Sequence, residues 1–250
     1  MFATAVPSLA VIGARVAGCA LAARMRRLGW QGPISLWESG RGPGGRASTR
    51  RSRHDAHVRL DHGAPLLSIS SSPAPAVLAP LLDGGWIEPW GGGLAQLDAG
   101  GQLITGSTDP LTHGDLYRGR GGMDQLCHGL LELAGSDVEL HSQCLVRDLA
   151  PTAHGGWELL DQQQQRLGAA DWLVLSGSLL VHPRCRTMLG WPEPPLQPLA
   201  RTLGDPQLER AAAGSAAIDS SPRCALLLLI PPAASWWPTP AQLWPGSIPM

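Results

Sequence analysis

An α/β fold with a smaller β-rich lobe is predicted by three stretches near the start of this 250-residue chain. Leu9-Ala-Val-Ile12 is a short apolar run that opens into Gly13, the pattern of a buried parallel strand. Residues 17–28 read as a helix stopped by Gly29, with Leu21, Met25 and Leu28 on the packed face and Arg24, Arg26 and Arg27 toward water. Ile34 to Trp37 reads as a second strand, and it ends on an acid, Glu38. Strand, helix and strand within residues 9–38 make one right-handed crossover unit.

The later elements follow in order. Residues 39–48 form a Gly/Arg loop, and 58–69 a strand that turns at His62-Gly63. Residues 70–116 are rich in Pro, Gly and Ser and predict an irregular lobe anchored by Trp86 and Trp90. A helix is expected over 122–134, then strands at 137–141, 143–149 and 156–160, with Gln162 to Gln165 as a solvated hairpin turn. Ala170 to Leu175 reads as a buried strand, and Cys224 to Ile230 as another. Residues 1–69 and 117–180 are expected to build a nucleotide domain, and 70–116 with 181–230 a substrate lobe. Residues 231–250, with Trp236, Trp237 and Trp244 among prolines, read as an irregular tail. Those tryptophans are expected to be core of a larger lobe rather than a partner-binding patch.

Composition removes several function classes. Net charge is −1 and pI about 6.7, which argues against a nucleic-acid or anionic-membrane binder. Every basic residue is Arg, so Schiff-base and P-loop lysine chemistry is excluded. The cysteines at 19, 127, 144, 185 and 224 form no C-x-x-C pair, which suggests a reducing, cytoplasmic setting. Cys127 beside His128, and Cys144 near His141, read as buried small residues rather than catalytic dyads. His54, Asp55, His57, Asp61 and His62 lie close in sequence, but strand alternation puts His57 and Asp61 on one face and His62 on the other, so no metal site is expected.

The chemistry is carried by glycines. Gly13-Ala-Arg-Val-Ala-Gly18 matches the first and third glycines of the G-x-G-x-x-G dinucleotide turn, with Arg15 at the middle position. In that Rossmann-like turn the helix N-terminus faces a pyrophosphate, so Gly13, Arg15, Ala17 and Gly18 are candidate contacts. Glu38 is placed to accept hydrogen bonds from ribose hydroxyls and disfavours a 2′-phosphate. Arg41-Gly-Pro-Gly-Gly-Arg46-Ala-Ser-Thr49 follows at once, and offers Gly45 for close backbone approach and Arg46 as a fixed cation.

An Arg-x-Gly-Gly-Arg-x-x-Thr segment directly after the ribose acid resembles the FAD enzymes that include amine oxidases. The string Glu38-Ser-Gly-Arg-Gly-Pro-Gly-Gly-Arg-Ala-Ser-Thr-Arg-Arg51 is most similar to renalase-like flavoproteins. Leu60-Asp-His-Gly-Ala64, Tyr117-Arg-Gly-Arg-Gly-Gly-Met123 and Ala170-Asp-Trp-Leu-Val-Leu175 resemble further segments of that family. The resemblance implies bound FAD, with Gly63 and Ala64 beside the flavin. It also implies hydride transfer from a small-molecule substrate, amine-like or dihydronicotinamide-like, and reoxidation by oxygen. It assigns no catalytic acid or base. The chain departs from the family at Arg15 and in its Pro/Trp-rich end, so a truncated relative with weakened FAD affinity is expected. The competing expectations are a non-catalytic nucleotide-binding remnant and an NAD enzyme without flavin.

Overall fold

The structure, a computed structural model, describes residues 6–55, 57–97, 100–106, 112–176, 192–193, 196–204, 206 and 209–210. β1 (Leu9–Ile12), α1 (Val16–Arg27) and β2 (Ile34–Trp37) form the expected crossover unit. A 3-10 turn at Gly45–Ala47 leads into a hairpin of β3 (Thr49–Arg51) and β4 (Arg59–Asp61). Then come β5 (Leu67–Ile69), α2 (Leu78–Asp83), β6 (Ile87–Pro89), β7 (Ala95–Leu97) and β8 (Leu103–Thr105). β9 (Asp115–Gly119) returns the chain to α3 (Asp124–Ala134) and β10 (Val138–His141). β11 (Asp148–Pro151), β12 (Trp157–Leu160), β13 (Arg166–Ala170), β14 (Trp172–Leu175) and α4 (Leu196–Leu203) complete the described elements.

A parallel sheet in the order β10-β2-β1-β14 organises the molecule. The inner strand β1 is apolar throughout and fully buried because both faces are covered, while β2 carries Ser35 and the edge strand β10 carries Glu139 and His141. Leu9, Val11, Ile34 and Leu36 join α1 and α3 in one core. Their alternates Ala10, Ile12 and Trp37 pack with Leu149, Leu159 and Ala170 of the antiparallel β11-β12-β13 layer. A two-residue side-chain period therefore sorts each strand between two cores. The fold is Rossmann-like α/β.

Helix α1 buries small residues, Gly18, Cys19, Ala22 and Ala23, and so lies close to α3 and the sheet. Two sequence expectations change here. Leu28 is not on the packed face: the helix ends at Arg27, and Leu28 caps it while 65% exposed. Arg26 does not face water: its side chain is only 13% exposed and donates to the carbonyls of Trp30 and Gly32 at 2.7 Å each. It also pairs with Asp137 at 2.7 Å, so the semi-buried cation is compensated.

Residues 70–116 are more regular than expected. β5, β9 and β6 make a three-stranded antiparallel sheet, and β7 and β8 a hairpin. Leu78, Leu81 and Ile87 enter the same core as α1 and α3. A proline-rich text concealed these elements because each is only three to six residues long, too short to show a period. The expected 143–149 strand begins only at Asp148, and the run 170–175 is two strands divided at Asp171. Asp171 ties that corner to the chain ahead of β1, accepting from the Ser8 amide and hydroxyl at 2.7 Å each. The hairpin turn at 162–165 is present, with Gln164 at φ +60°. Residues 224–250, with the expected strand and the three tryptophans, lie outside the described residues. Among the described residues no helix is long and apolar enough to cross a membrane.

Candidate functional site

β1 ends by handing Gly13 to the turn before α1. The Gly13 amide donates to the Trp37 carbonyl at 2.8 Å, and its φ of +102° suits glycine. A Cβ on Gly18 would stand 2.1 Å from the Gly13 carbonyl oxygen, so the third glycine lets α1 start hard against the turn. Ser176, just after β14, donates its hydroxyl toward the carbonyls of Gly13 (2.7 Å) and Ile12 (3.0 Å). Nothing acidic occupies the first turn of α1, which leaves the positive end of the helix uncompensated from within the helix.

Arg15 turns across the glycine doublet. It bridges Gly44 in parallel fashion, and the Gly44 amide donates to the Ala14 carbonyl at 2.9 Å. A Cβ on Gly45 would meet the Arg15 Cγ at 2.6 Å and Cδ at 2.7 Å. Gly45 also has φ +59°. The doublet is thus needed twice, for its backbone shape and for the passage of the Arg15 stem.

Glu38 is 7% exposed at the end of β2. Its Oε2 accepts from the Ala14 amide at 3.1 Å and its Oε1 from the Gly40 amide at 2.7 Å. A carboxylate has about four lone-pair sites, so acceptor capacity remains for hydroxyl groups. Glu38 lines an open cleft of ≈ 780 Å³, together with Arg41, Gly45, Ser48, Arg50 and His62.

The loop after the doublet is stitched to the strand that resembles the flavin side of the family. The Ala64 amide donates to the Arg46 carbonyl at 2.7 Å, and a Cβ on Gly63 would lie 1.9 Å from that oxygen. Ser48 donates to the Gly45 carbonyl at 2.6 Å and contacts His62 Nε2 at 3.0 Å. The structure therefore brings Gly13, Arg15, Gly18, Glu38 and Gly45 together, and joins Gly63 and Ala64 to Arg46 through backbone. The Arg46 side chain is exposed beside the cleft, and Ala17 is exposed on the first turn of α1.

Sequence reasoning missed the far wall. Thr49 donates to Asp61 Oδ1 at 2.6 Å, and that oxygen also accepts from the Met123 amide at 2.9 Å. The Asp124 amide donates to Thr49 Oγ1 at 3.1 Å, while the Asp124 carboxylate pairs with Arg51 at 2.9 Å. Asp61 fastens the hairpin to the start of α3, and His128 stands one turn further along that helix on the cleft wall. The only sequence signal was the Gly121-Gly122-Met123 turn before α3; Ser176 had none beyond its place after an apolar strand. Among the described residues no three His, Cys, Asp or Glu side chains gather as metal ligands.

Cys19 and Cys127 are fully buried where α1 meets α3. The Cys19 thiol donates to the Ala14 carbonyl at 3.4 Å. Its hydrogen bond with Cys127, together with burial, pushes its pKa far up, so it stays protonated. Burial also raises the Cys144 thiol.

A family model described as an NAD(P)-binding Rossmann-like domain matches residues 11–82. No curated protein matches the chain in sequence. Among solved structures, a double mutant of putrescine oxidase, from a redesign of its cofactor binding, is similar at 15% identity and TM-score 0.50 over 78% of this chain and 63% of that one. A CLA-producing fatty acid isomerase from P. acnes is similar at 13% identity and TM-score 0.53, over 74% and 61%. The chain spans about three-fifths of the length of such structures. At these identities the likeness shows the fold.

Proposed function

We propose that this chain binds FAD and is an FAD-dependent oxidoreductase of the renalase-like amine oxidase kind. The observation that carries this reading is the joined pair of glycine elements. The Gly13–Gly18 turn is joined to the buried Glu38 carboxylate through the Ala14 amide and to the Gly44-Gly45 loop through the Ala14 carbonyl, Glu38 and Gly45 line one cleft, and the loop is tied by backbone to Gly63 and Ala64. A nicotinamide site alone does not call for that second glycine loop. The positions fit a dinucleotide, because Glu38 keeps acceptor capacity on the cleft it lines and the first turn of α1 carries no acid.

In this reading the α1 N-terminus and Arg15 hold the pyrophosphate, with Gly13, Ala17 and Gly18 lining it. Glu38 accepts the ribose hydroxyls. Gly45 and Arg46 approach the phosphates or ring edge, and Gly63 and Ala64 run beside the ring. Bound FAD supplies the hydride acceptor for a small reduced substrate, amine-like or dihydronicotinamide-like, and oxygen is the terminal acceptor. The protein orients the cofactor and walls the substrate; no acid or base of the chain is assigned a step.

The test is the visible absorption spectrum of the purified chain before and after denaturation, followed by FAD titration. Flavin absorbance released on denaturation, and loss of about tenfold or more in affinity for Glu38→Ala and for Arg46→Ala, is the expected result. Folded, colourless protein that FAD does not reconstitute would refute it.

A further inference from the structure

The dinucleotide turn is anchored by a side chain that the cofactor reading leaves unused. β14 ends at Leu175, and Ser176 follows it. The Ser176 amide donates to the Ile12 carbonyl at 3.0 Å, so that carbonyl is served by backbone. The shorter contact of the Ser176 hydroxyl, 2.7 Å, is to the Gly13 carbonyl; its distance to the Ile12 carbonyl is 3.0 Å. A hydroxyl has one proton to donate, and here it goes to Gly13. The fit is tight. A Cβ on Gly13 would stand 2.7 Å from Ser176 Oγ, and one on Gly18 would stand 3.2 Å from the same atom.

The Gly13 carbonyl belongs to the same peptide as the Ala14 amide, and that amide donates to Glu38 Oε2 at 3.1 Å. One peptide plane is therefore held at both ends, its oxygen by Ser176 and its N–H by Glu38. The next carbonyl, that of Ala14, accepts from the Gly44 amide at 2.9 Å and the Cys19 thiol at 3.4 Å. Gly13 hinges the held plane at φ +102°, and a glycine can rotate a peptide at little steric cost. Rotation would turn a carbonyl oxygen toward the Glu38 carboxylate. Two acceptors would then face each other, and the carboxylate would lose the donor that orients Oε2.

We infer that Ser176 is a positioning residue for cofactor binding: its hydroxyl locks the Gly13–Ala14 peptide, and through the Ala14 amide it orients the Glu38 carboxylate. The inference rests on the FAD reading, in which Glu38 accepts the ribose hydroxyls. The role is indirect, because Ser176 follows β14 while Glu38 follows β2 and lines the cleft. The hydroxyl takes no part in the backbone pairing of β14 with β1, nor in the amide bond that extends it. Its removal therefore leaves the sheet intact and acts on the turn. The effect falls on cofactor affinity more than on the core.

The experiment takes the full chain as wild type, Ser176→Ala and Ser176→Thr. FAD affinity is read by absorbance titration, and hydrogen exchange of the Ala14 amide by NMR on the unloaded chain. Ser176→Ala is expected to bind FAD about tenfold more weakly and to exchange the Ala14 amide about tenfold faster, the effect of one lost hydrogen bond. Ser176→Thr restores the hydroxyl and should stay within about threefold of wild type in both. In the Glu38→Ala background, adding Ser176→Ala should change FAD affinity by less than about threefold, because the path through Glu38 is already cut. Unchanged FAD affinity or unchanged Ala14 exchange in Ser176→Ala would overturn the role. Equal losses in the alanine and threonine variants, or the whole loss persisting without Glu38, would overturn it too. A wild-type chain that holds no FAD sinks the cofactor reading instead. The lock on the peptide is then judged on Ala14 exchange alone: faster exchange in Ser176→Ala, restored in Ser176→Thr, keeps it, and unchanged exchange removes it.

Discussion

Arg15 stands where a dinucleotide turn carries its middle glycine, and its crowding is met by a glycine on another loop. The stem crosses Gly45 at a distance that leaves no room for a Cβ. Gly45→Ala should therefore destabilise the fold by about 1–3 kcal/mol, through both the clash and a φ of +59°. Adding Arg15→Ala should return the steric part and leave the backbone part, a coupling that a double-mutant cycle in urea will read. Glu38 is the second decisive side chain. Glu38→Gln keeps size, but its amide group can accept from only one of the Ala14 and Gly40 N–H groups and faces the other with a donor. A loss of about 1–3 kcal/mol in the urea midpoint analysis is expected, together with weaker FAD binding.

The elements show where short-range logic held. β1, α1 and β2 were legible because four-residue apolar runs and a glycine stop are local features. The packed face expected for α1 holds at Leu21 and Met25 but not at Leu28, and its fully buried positions are the small residues of the α1–α3 seam. That seam holds Cys19 and Cys127 buried and Cys19 protonated, so iodoacetamide should label Cys144 in the native protein and Cys19 and Cys127 only after unfolding. Labelling of Cys19 at the native rate of Cys144 would show that the seam opens. The corner between β13 and β14 offers a pH test. The Ser8 amide and hydroxyl hold the Asp171 carboxyl below its ordinary value of 3.8. A depressed carboxylate stabilises the fold above that value, and the gain fades as pH falls through it and below. Wild type should exceed Asp171→Asn in urea midpoint at neutral pH, and the difference should vanish in acid. Asp171 is exposed, so the difference should be small.

At the scale of the whole molecule, one parallel sheet with helices on one face and an antiparallel layer on the other carries the cleft at the ends of β2 and β10. Ligands of open α/β sheets bind at such strand ends. If FAD is the ligand, saturating it at about a hundred times its Kd should add about 2.7 kcal/mol to stability. A thermal shift with FAD, smaller in Glu38→Ala, will measure this; no shift at any concentration would remove FAD as the ligand.

The sequence by itself determined the β-α-β unit, the glycine turn, the acid after β2 and the second glycine loop. These are contiguous patterns set by backbone conformation and side-chain period, which neighbouring residues fix. Only the tertiary structure decided that Arg15 lies on Gly45, that Ser176 reaches Gly13, and that Thr49, Asp61 and Asp124 close the far wall. It alone showed that Arg26 is half-buried and paired with Asp137, and that Arg50 and Arg51 of the hairpin line the cleft. Those facts depend on which segments distant in sequence meet, and on the space left when they do. Pairwise distance and burial are properties of the packed chain, and no local pattern encodes them.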